Sequence, residues 1–471
     1  LSAVLAMTGT FAADASRQAP YLTLRLSFLL LSLRSGIALP MIAAAVKLTA
    51  IQGSALMHWF TLLFVGFLVA GTLVRSWLNQ RQLLAVQRHR DQVPAAFASQ
   101  IDLEAHQKAA DYTVARAALH RLDNLLDAAI ALILTIGGGI GAIDAAWRSL
   151  NLPTLWHGTA VVISTILLMS AISLPLSLYR TFGIEARFGF NRTTLGLFLA
   201  DLLKGLLVSL LLGGPLVFVV LYLMERSGSL WWVYAWVVWV AFTIFITWAW
   251  PTFIAPIFNK FSPLTDEALK QRTEALLSRC GFSSKGVFVM DGSRRSVHGN
   301  AYFTGVGRNK RIVFFDTLIE RLQAQEIEAV LAHELGHFRL HHVRSRLILS
   351  LVTGLGGLAL LGALAAWPQF YSALGIAEPS SHTALLLFMI VLPAFTFFLT
   401  PLGAWWSRKH EFEADEFAAK FANARELAAA LVKLYRDNAT TLTPDSLHSA
   451  FYDSHPPALV RIARLHSLAS A

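Results

Sequence analysis

Seven stretches of this chain are long and apolar enough to cross a bilayer, and they constrain the fold more than any other feature. They run approximately Leu56–Trp77, Leu126–Trp147, Gly158–Tyr179, Leu203–Met224, Leu230–Ile254, Leu347–Trp367 and Ala384–Trp406. About 20 apolar residues in helical form span the hydrocarbon core, because only a helix pairs every backbone polar group within one segment there. Of the 471 residues 55% are hydrophobic and 14% charged, well below the roughly 25% charge of a soluble chain. The expected fold is therefore mainly α, one membrane-embedded helix bundle with polar insertions rather than a row of soluble domains. Aromatics crowd the ends of several spans, as Trp231, Trp232, Trp248, Trp250, Trp405 and Trp406 do, in the manner of interfacial belts. The glycines of "GGGIG" and "GLGGLALLG" read as close helix contacts.

The formal net charge of +10 belongs to the loops. The first loop carries Arg81, Arg88, Arg90, Lys108, Arg116 and Arg121, the second only Arg148, the third Arg180, Arg187 and Arg192, and the fourth only Arg226. The fifth is long and basic, the sixth has neither Lys nor Arg, and the tail is basic again. By the positive-inside rule the odd loops and the C-terminus face the cytoplasm, and the charge serves orientation rather than nucleic acid. Cys280 is the single cysteine, which excludes an intrachain disulfide and a cysteine-based zinc cluster.

The chain divides into residues 1–55, an N-terminal extension; 56–255, five spans with a polar helical loop at 79–124; 256–346; 347–406, the last two spans; and 407–471. The extension is apolar but interrupted by Arg25, Arg34 and Pro40. An eighth span, a surface helix, an upstream extension of the true start and a cleaved signal all remain open for it. In the fifth loop, "TDEALKQRTEALLSRCG" reads as an amphipathic helix capped by Thr265, and "GVFVMDG" and "RIVFFDT" as short strands. A further helix begins near Ala324.

That last helix carries "VLAHELGHFRLHH". His333 and His337, four apart, share a helix face and can hold one ion, and Glu334 stands beside the first. Neutral imidazoles suit Zn²⁺, and a carboxylate next to an open metal position can take a proton from water. His341 and His342 are assigned to the membrane surface beside Arg344 and Arg346. A catalytic zinc needs a third ligand. Just past the seventh span, "EFEAD" offers Glu411 and Asp415 on one helix face, one to ligate and one to stand behind a ligand histidine. Spans six and seven form a hairpin, so the two motifs return to the same membrane face.

These residues resemble the type I CAAX prenyl proteases, integral-membrane zinc endopeptidases. The likeness rests on "HELGH" (His333–His337), "EFEAD" (Glu411–Asp415), "NAYF" (Asn300–Phe303) and "SHPP" (Ser454–Pro457), with "FGFNRTT" (Phe188–Thr194) and "IFNKFSPL" (Ile257–Leu264) in support. The resemblance implies seven spans enclosing a chamber, closed on the cytosolic side by an α/β metalloprotease domain. It further implies one zinc ion on His333, His337 and Glu411, Glu334 as general base, and Asp415 behind His333. Asn300 would bind the substrate backbone, and His455 and Arg461 would contact substrate or the oxyanion. Its implied partners are membrane lipid and a prenylated protein substrate that loses its last three residues, some substrates being cut a second time on the N-terminal side. The location is the inner membrane of a bacterium or the endoplasmic reticulum of a eukaryote. A quality-control metalloprotease without a prenyl requirement is the alternative, against which the seven spans and the "NAYF" and "SHPP" motifs argue. A transporter or scaffold would need charges paired along a path through the spans.

Overall fold

The computed structural model describes residues 58–282, 286–304 and 311–470. The extension 1–55 and the first two residues of the first predicted span lie outside the described residues. Helix α1 (Trp59–Arg88) does not stop at the membrane edge. Beyond Trp77 its side chains become polar, but with no Gly or Pro among them nothing breaks the helix before the turns around Pro94. Helix α2 (Leu103–Leu134) returns beside it, started by Asp102, whose carboxylate accepts the Ala105 N–H at 2.7 Å. The polar insertion is thus a helical hairpin projecting from spans one and two.

The second span is not straight. It turns by 54° between α2 and α3 (Gly139–Arg148). Gly138 has φ of 76°, and a Cβ at Gly137 or Gly139 would lie 2.7 or 2.8 Å from the Ile133 carbonyl oxygen. The "GGGIG" glycines therefore bend a span instead of joining two, a correction to the sequence reading. A tight reversal needs residues without Cβ more than a helix contact does.

Helices α4 (Thr154–Leu178), α5 (Leu195–Arg226) and α6 (Trp231–Ala249) follow, α4 continuing through a π-helical turn to Glu185. Then come the fifth-loop elements. Helix α7 (Glu267–Arg279) is capped by Asp266, which accepts the Leu269 N–H, one residue after the expected Thr265. A mixed sheet has the order β1-β2-β4-β3, with β1 Phe261–Pro263, β2 Val287–Met290, β3 Ala301–Thr304 and β4 Arg311–Phe315. The two strands expected from sequence are the parallel central pair, in register Val287↔Ile312 to Met290↔Phe315. Strand β3 pairs antiparallel to β4 and forms one edge of the sheet.

Helix α8 (Ala324–Arg339) holds the histidine motif and α9 (His342–Ala365) is the sixth span. The glycines of "GLGGLALLG" do serve contact: a Cβ at Gly354 would fall 2.6 Å from the Trp239 ring, so α9 packs closely on α6. Helices α10 (Ser381–Thr396) and α11 (Thr400–Phe421) make one apolar-to-polar run, followed by α12 (Ala424–Asp437), α13 (Ser446–Tyr452) and α14 (Ala458–Ser470). Among the described residues six helical segments reach the length and apolarity of a span, and the bent pair, taken as one span, makes a seventh.

Burial is uneven. Leu276, Ile312, Phe314, Leu331, Leu335, Leu427 and Leu465 form a continuous core joining the sheet to α7, α8, α12 and α14. In the membrane part, α5 buries only Leu221 along its whole length. A helix in a solid bundle buries a full stripe, so α5 is only partly covered by its neighbours among the described residues.

Candidate metal centre

Helices α8 and α11 lie against each other where glycine permits it: a Cβ on Gly336 would sit 3.1 Å from the Ala414 Cα. Residues four apart on each helix then face across the contact. His333 Nε2 and His337 Nε2 are 3.2 Å apart. Glu411 lies 3.5 Å from the first through Oε2 and 3.3 Å from the second through Oε1.

These separations are informative. Ligand atoms about 2.0–2.1 Å from a tetrahedral ion stand roughly 3.3 Å from one another, whereas a hydrogen bond would draw them to about 2.9 Å. Two imidazoles also present the same ring nitrogen to one point, which neutral hydrogen bonding does not favour. Glu411 Oε2 is buried without a hydrogen bond, although Arg461 and His455 nitrogens stand 3.4 and 3.5 Å away. An orphan carboxylate oxygen in a buried site needs a cation. Glu334, Glu411 and Asp415 gather three carboxyl groups around the imidazoles of His333 and His337, a set of donors that suits a divalent ion. The residues present fit a metal.

Behind His333, Asp415 Oδ1 is 2.8 Å from Nδ1, so the outer ring nitrogen is held while Nε2 points inward. Asp415 is in turn gripped by Arg461, through Nε at 2.8 Å and NH2 at 2.7 Å. Burial and Arg461 push the His333 imidazole down, but the carboxylates of Asp415 and Glu411 more than reverse this, and its pKa stands at about 9. Glu334 has no hydrogen bond or ion pair among the described residues, and burial lifts its carboxyl above the usual range.

The remaining expected residues are spread around this cluster. Arg461, expected to contact substrate or the oxyanion, is only 4% exposed, with two of its nitrogens on Asp415. Its NH2 also lies 3.2 and 3.3 Å from Nδ1 and Nε2 of His333, and its NH1 lies 3.4 Å from Glu411. His455 has an exposed ring with Nε2 3.5 Å from Glu411 and Nδ1 3.0 Å from Ser454 Oγ. Asn300 is exposed where edge strand β3 begins, and β3 packs on α8. Glu416 pairs with Arg464 away from the site.

His342 overturns its sequence assignment to the membrane surface. It is 3% exposed, its Nδ1 lies 3.0 Å from Nδ1 of His337, and its Nε2 lies 2.9 Å from Glu413. The His410 ring stacks on it at 4.0 Å and 5°. A residue five past His337 would leave that helix face, but His341 adopts φ of 62° and breaks α8 from α9, turning His342 back. No periodicity in the sequence signals that break.

Comparison with known proteins agrees with this architecture. Residues 82–260 match the family model for the CAAX prenyl protease N-terminal region, five membrane helices, and residues 263–469 match peptidase family M48. The chain is 33% identical over 417 residues to a CAAX prenyl protease 1 homolog of Arabidopsis thaliana, covering 84% of this chain and 95% of that one. It is 32% identical over 435 residues to CAAX prenyl protease 1 of Saccharomyces cerevisiae, covering 86% and 94%. The crystal structure of S. mikatae Ste24p superposes with a TM-score of 0.80 at 29% identity, over 88% of this chain and all of that one. With the two models lying end to end and near full-length relatives above 30% identity, the chain belongs to the CAAX prenyl protease family of M48 peptidases and is a multi-pass membrane metallopeptidase.

Proposed function

We propose that this chain is a zinc endopeptidase that cleaves prenylated CAAX proteins, removing the C-terminal tripeptide at a centre on the cytosolic side of the membrane. The observation that carries the reading is the pair of His333 and His337 Nε2 atoms, 3.2 Å apart, with Glu411 Oε1 3.3 Å from the second and its buried Oε2, which takes no hydrogen bond, 3.5 Å from the first. His333, His337 and Glu411 hold the ion. A bound zinc ion would polarise a peptide carbonyl and make water acidic enough to lose a proton near neutral pH.

Glu334 takes that proton and returns it to the departing amine nitrogen. Asp415 orients His333, and Arg461 keeps Asp415 in place. His455, exposed beside Glu411, donates to the oxygen on which negative charge grows. Asn300 opens an edge strand whose free side pairs with an extended substrate backbone. The sparse burial of α5 supports a chamber that receives substrate. Residues 56–255 and 347–406 form the membrane part, and 256–346 with 407–471 form the catalytic part. Sidedness follows the loop charges, the host membrane is the inner membrane of a bacterium or the endoplasmic reticulum of a eukaryote, and nucleic acid has no role.

The test uses purified enzyme with a farnesylated CAAX peptide and its unprenylated twin. Glu334→Gln keeps its metal and loses at least about 10²–10⁴-fold in turnover. Wild-type turnover in that variant removes Glu334 from the role of base. Equal cleavage of both peptides would instead favour a protease indifferent to prenylation.

A further inference from the structure

A second cluster of buried ionisable groups lies at the other end of the bundle, in the membrane part where such groups are expensive and usually functional. Asp144 lies midway along the short helix α3, His157 in the first turn of α4 and His382 in the first turn of α10. All three are under 10% exposed, at 6%, 9% and 7%. Asp144 Oδ1 is 2.7 Å from His157 Nε2 and 2.8 Å from His382 Nε2, so both imidazoles converge on one oxygen. The rings meet edge to face at 5.4 Å, as those of His333 and His337 do at 4.9 Å. Ser380 Oγ is the fourth polar atom, 3.1 Å from the same His382 nitrogen.

That crowding is more than a hydrogen-bonded clamp requires. A single ring N–H on His382 cannot serve Asp144 and Ser380 equally, and Ser380 Oγ already interacts with Thr383. Two imidazole nitrogens, a carboxylate oxygen and a hydroxyl around one point form a coordination sphere for a divalent transition ion. The site is also built to receive the ring: a Cβ at Gly158 would lie 3.1 Å from His382 Nδ1. Arg148 NH2 holds the other Asp144 oxygen at 2.6 Å, as Arg461 holds Asp415 in the first centre. An opening of about half an ångström per contact, once the ring protons leave, brings the nitrogens and oxygen to tetrahedral separations.

We propose that Asp144, His157 and His382, with Ser380 beside them, bind a second divalent ion of the zinc class that ties three span ends together. His382 and Glu411 lie on one helical run, Ser381–Phe421. The 29 residues separating them correspond to roughly 40 Å at 1.5 Å per residue, about a bilayer away. The two ions would therefore be independent.

The experiment counts ions by mass spectrometry after the purified full chain is stripped and re-equilibrated with Zn²⁺. Wild type should hold two ions per chain, His333→Ala/His337→Ala one, His157→Gln/His382→Gln one, and the combined variant none. A count unmoved by His157→Gln/His382→Gln overturns the second site and leaves a hydrogen-bonded clamp. Should the second site alone be real, the wild type holds a single ion that His157→Gln/His382→Gln removes and His333→Ala/His337→Ala keeps, so the two readings fail separately. Where a variant does not fold, anomalous scattering at the zinc edge from wild-type crystals decides: a peak among the three side chains supports the site, and a peak at His333 and His337 without one here rejects it.

Discussion

At the scale of single residues, both histidines of the proposed centre are held from behind. His333 is steadied by Asp415 and Arg461, and His337 by His342 with Glu413. Removing a partner of this kind typically costs 10–100-fold in metal affinity. His342→Ala should lower zinc affinity by about that factor with the helices intact, as read by competition with a fluorescent chelator. His342→Gln, which can still reach one neighbour, should recover part of it. The His333 imidazole carries a pH signature as well. Its pKa of about 9 means that below that pH it holds a proton which the ion must displace. Zinc affinity should rise about tenfold per pH unit through the neutral range and level off above about 9. A flat profile across neutral pH would show that no such proton is released.

Among elements, the close crossing of α8 and α11 decides whether the three ligands meet. Gly336 is the hinge of that contact, with the Ala414 Cα and the Phe417 Cβ at 3.1 and 3.2 Å from where its own Cβ would be. Backbone so near cannot yield as a flexible side-chain tip can. Gly336→Leu should cost about 1–3 kcal/mol by overpacking and draw Glu411 away from the histidines. Circular dichroism would show retained helix while metal content falls. Retained metal at wild-type level would mean that the two helices separate without disturbing the ligands. The pattern of spans was legible at this scale, because 20-residue apolar runs have few alternatives. Strands β1 and β3 were not, since at three and four residues neither is long enough to show an alternation. The bend at Gly138 was hidden too, since "GGGIG" suits a packing site and a break equally well.

For the whole molecule, sidedness is the property open to direct test. Cys280 is buried in the catalytic core, so replacing it by Ser gives a background for introduced cysteines. Cysteines at Gln92 and at Glu104, both exposed near the tip of the α1–α2 hairpin, should react with a membrane-impermeant maleimide only after the cytoplasmic face is opened. A cysteine at Leu152, exposed between α3 and α4, should react from the opposite side of sealed cells. Labelling of all three from one side would refute the orientation.

The sequence alone determined the class of molecule, seven candidate crossings and the histidine motif, because a span and a four-residue ligand spacing are both written in contiguous residues. Only the tertiary structure decided which distant groups complete each cluster. Arg461 turns inward to Asp415, His342 turns back through a left-handed His341, and Asp144 meets two histidines from separate spans. Contacts like these depend on where helices cross and break. Both are set by packing across the chain, which leaves no local pattern to read.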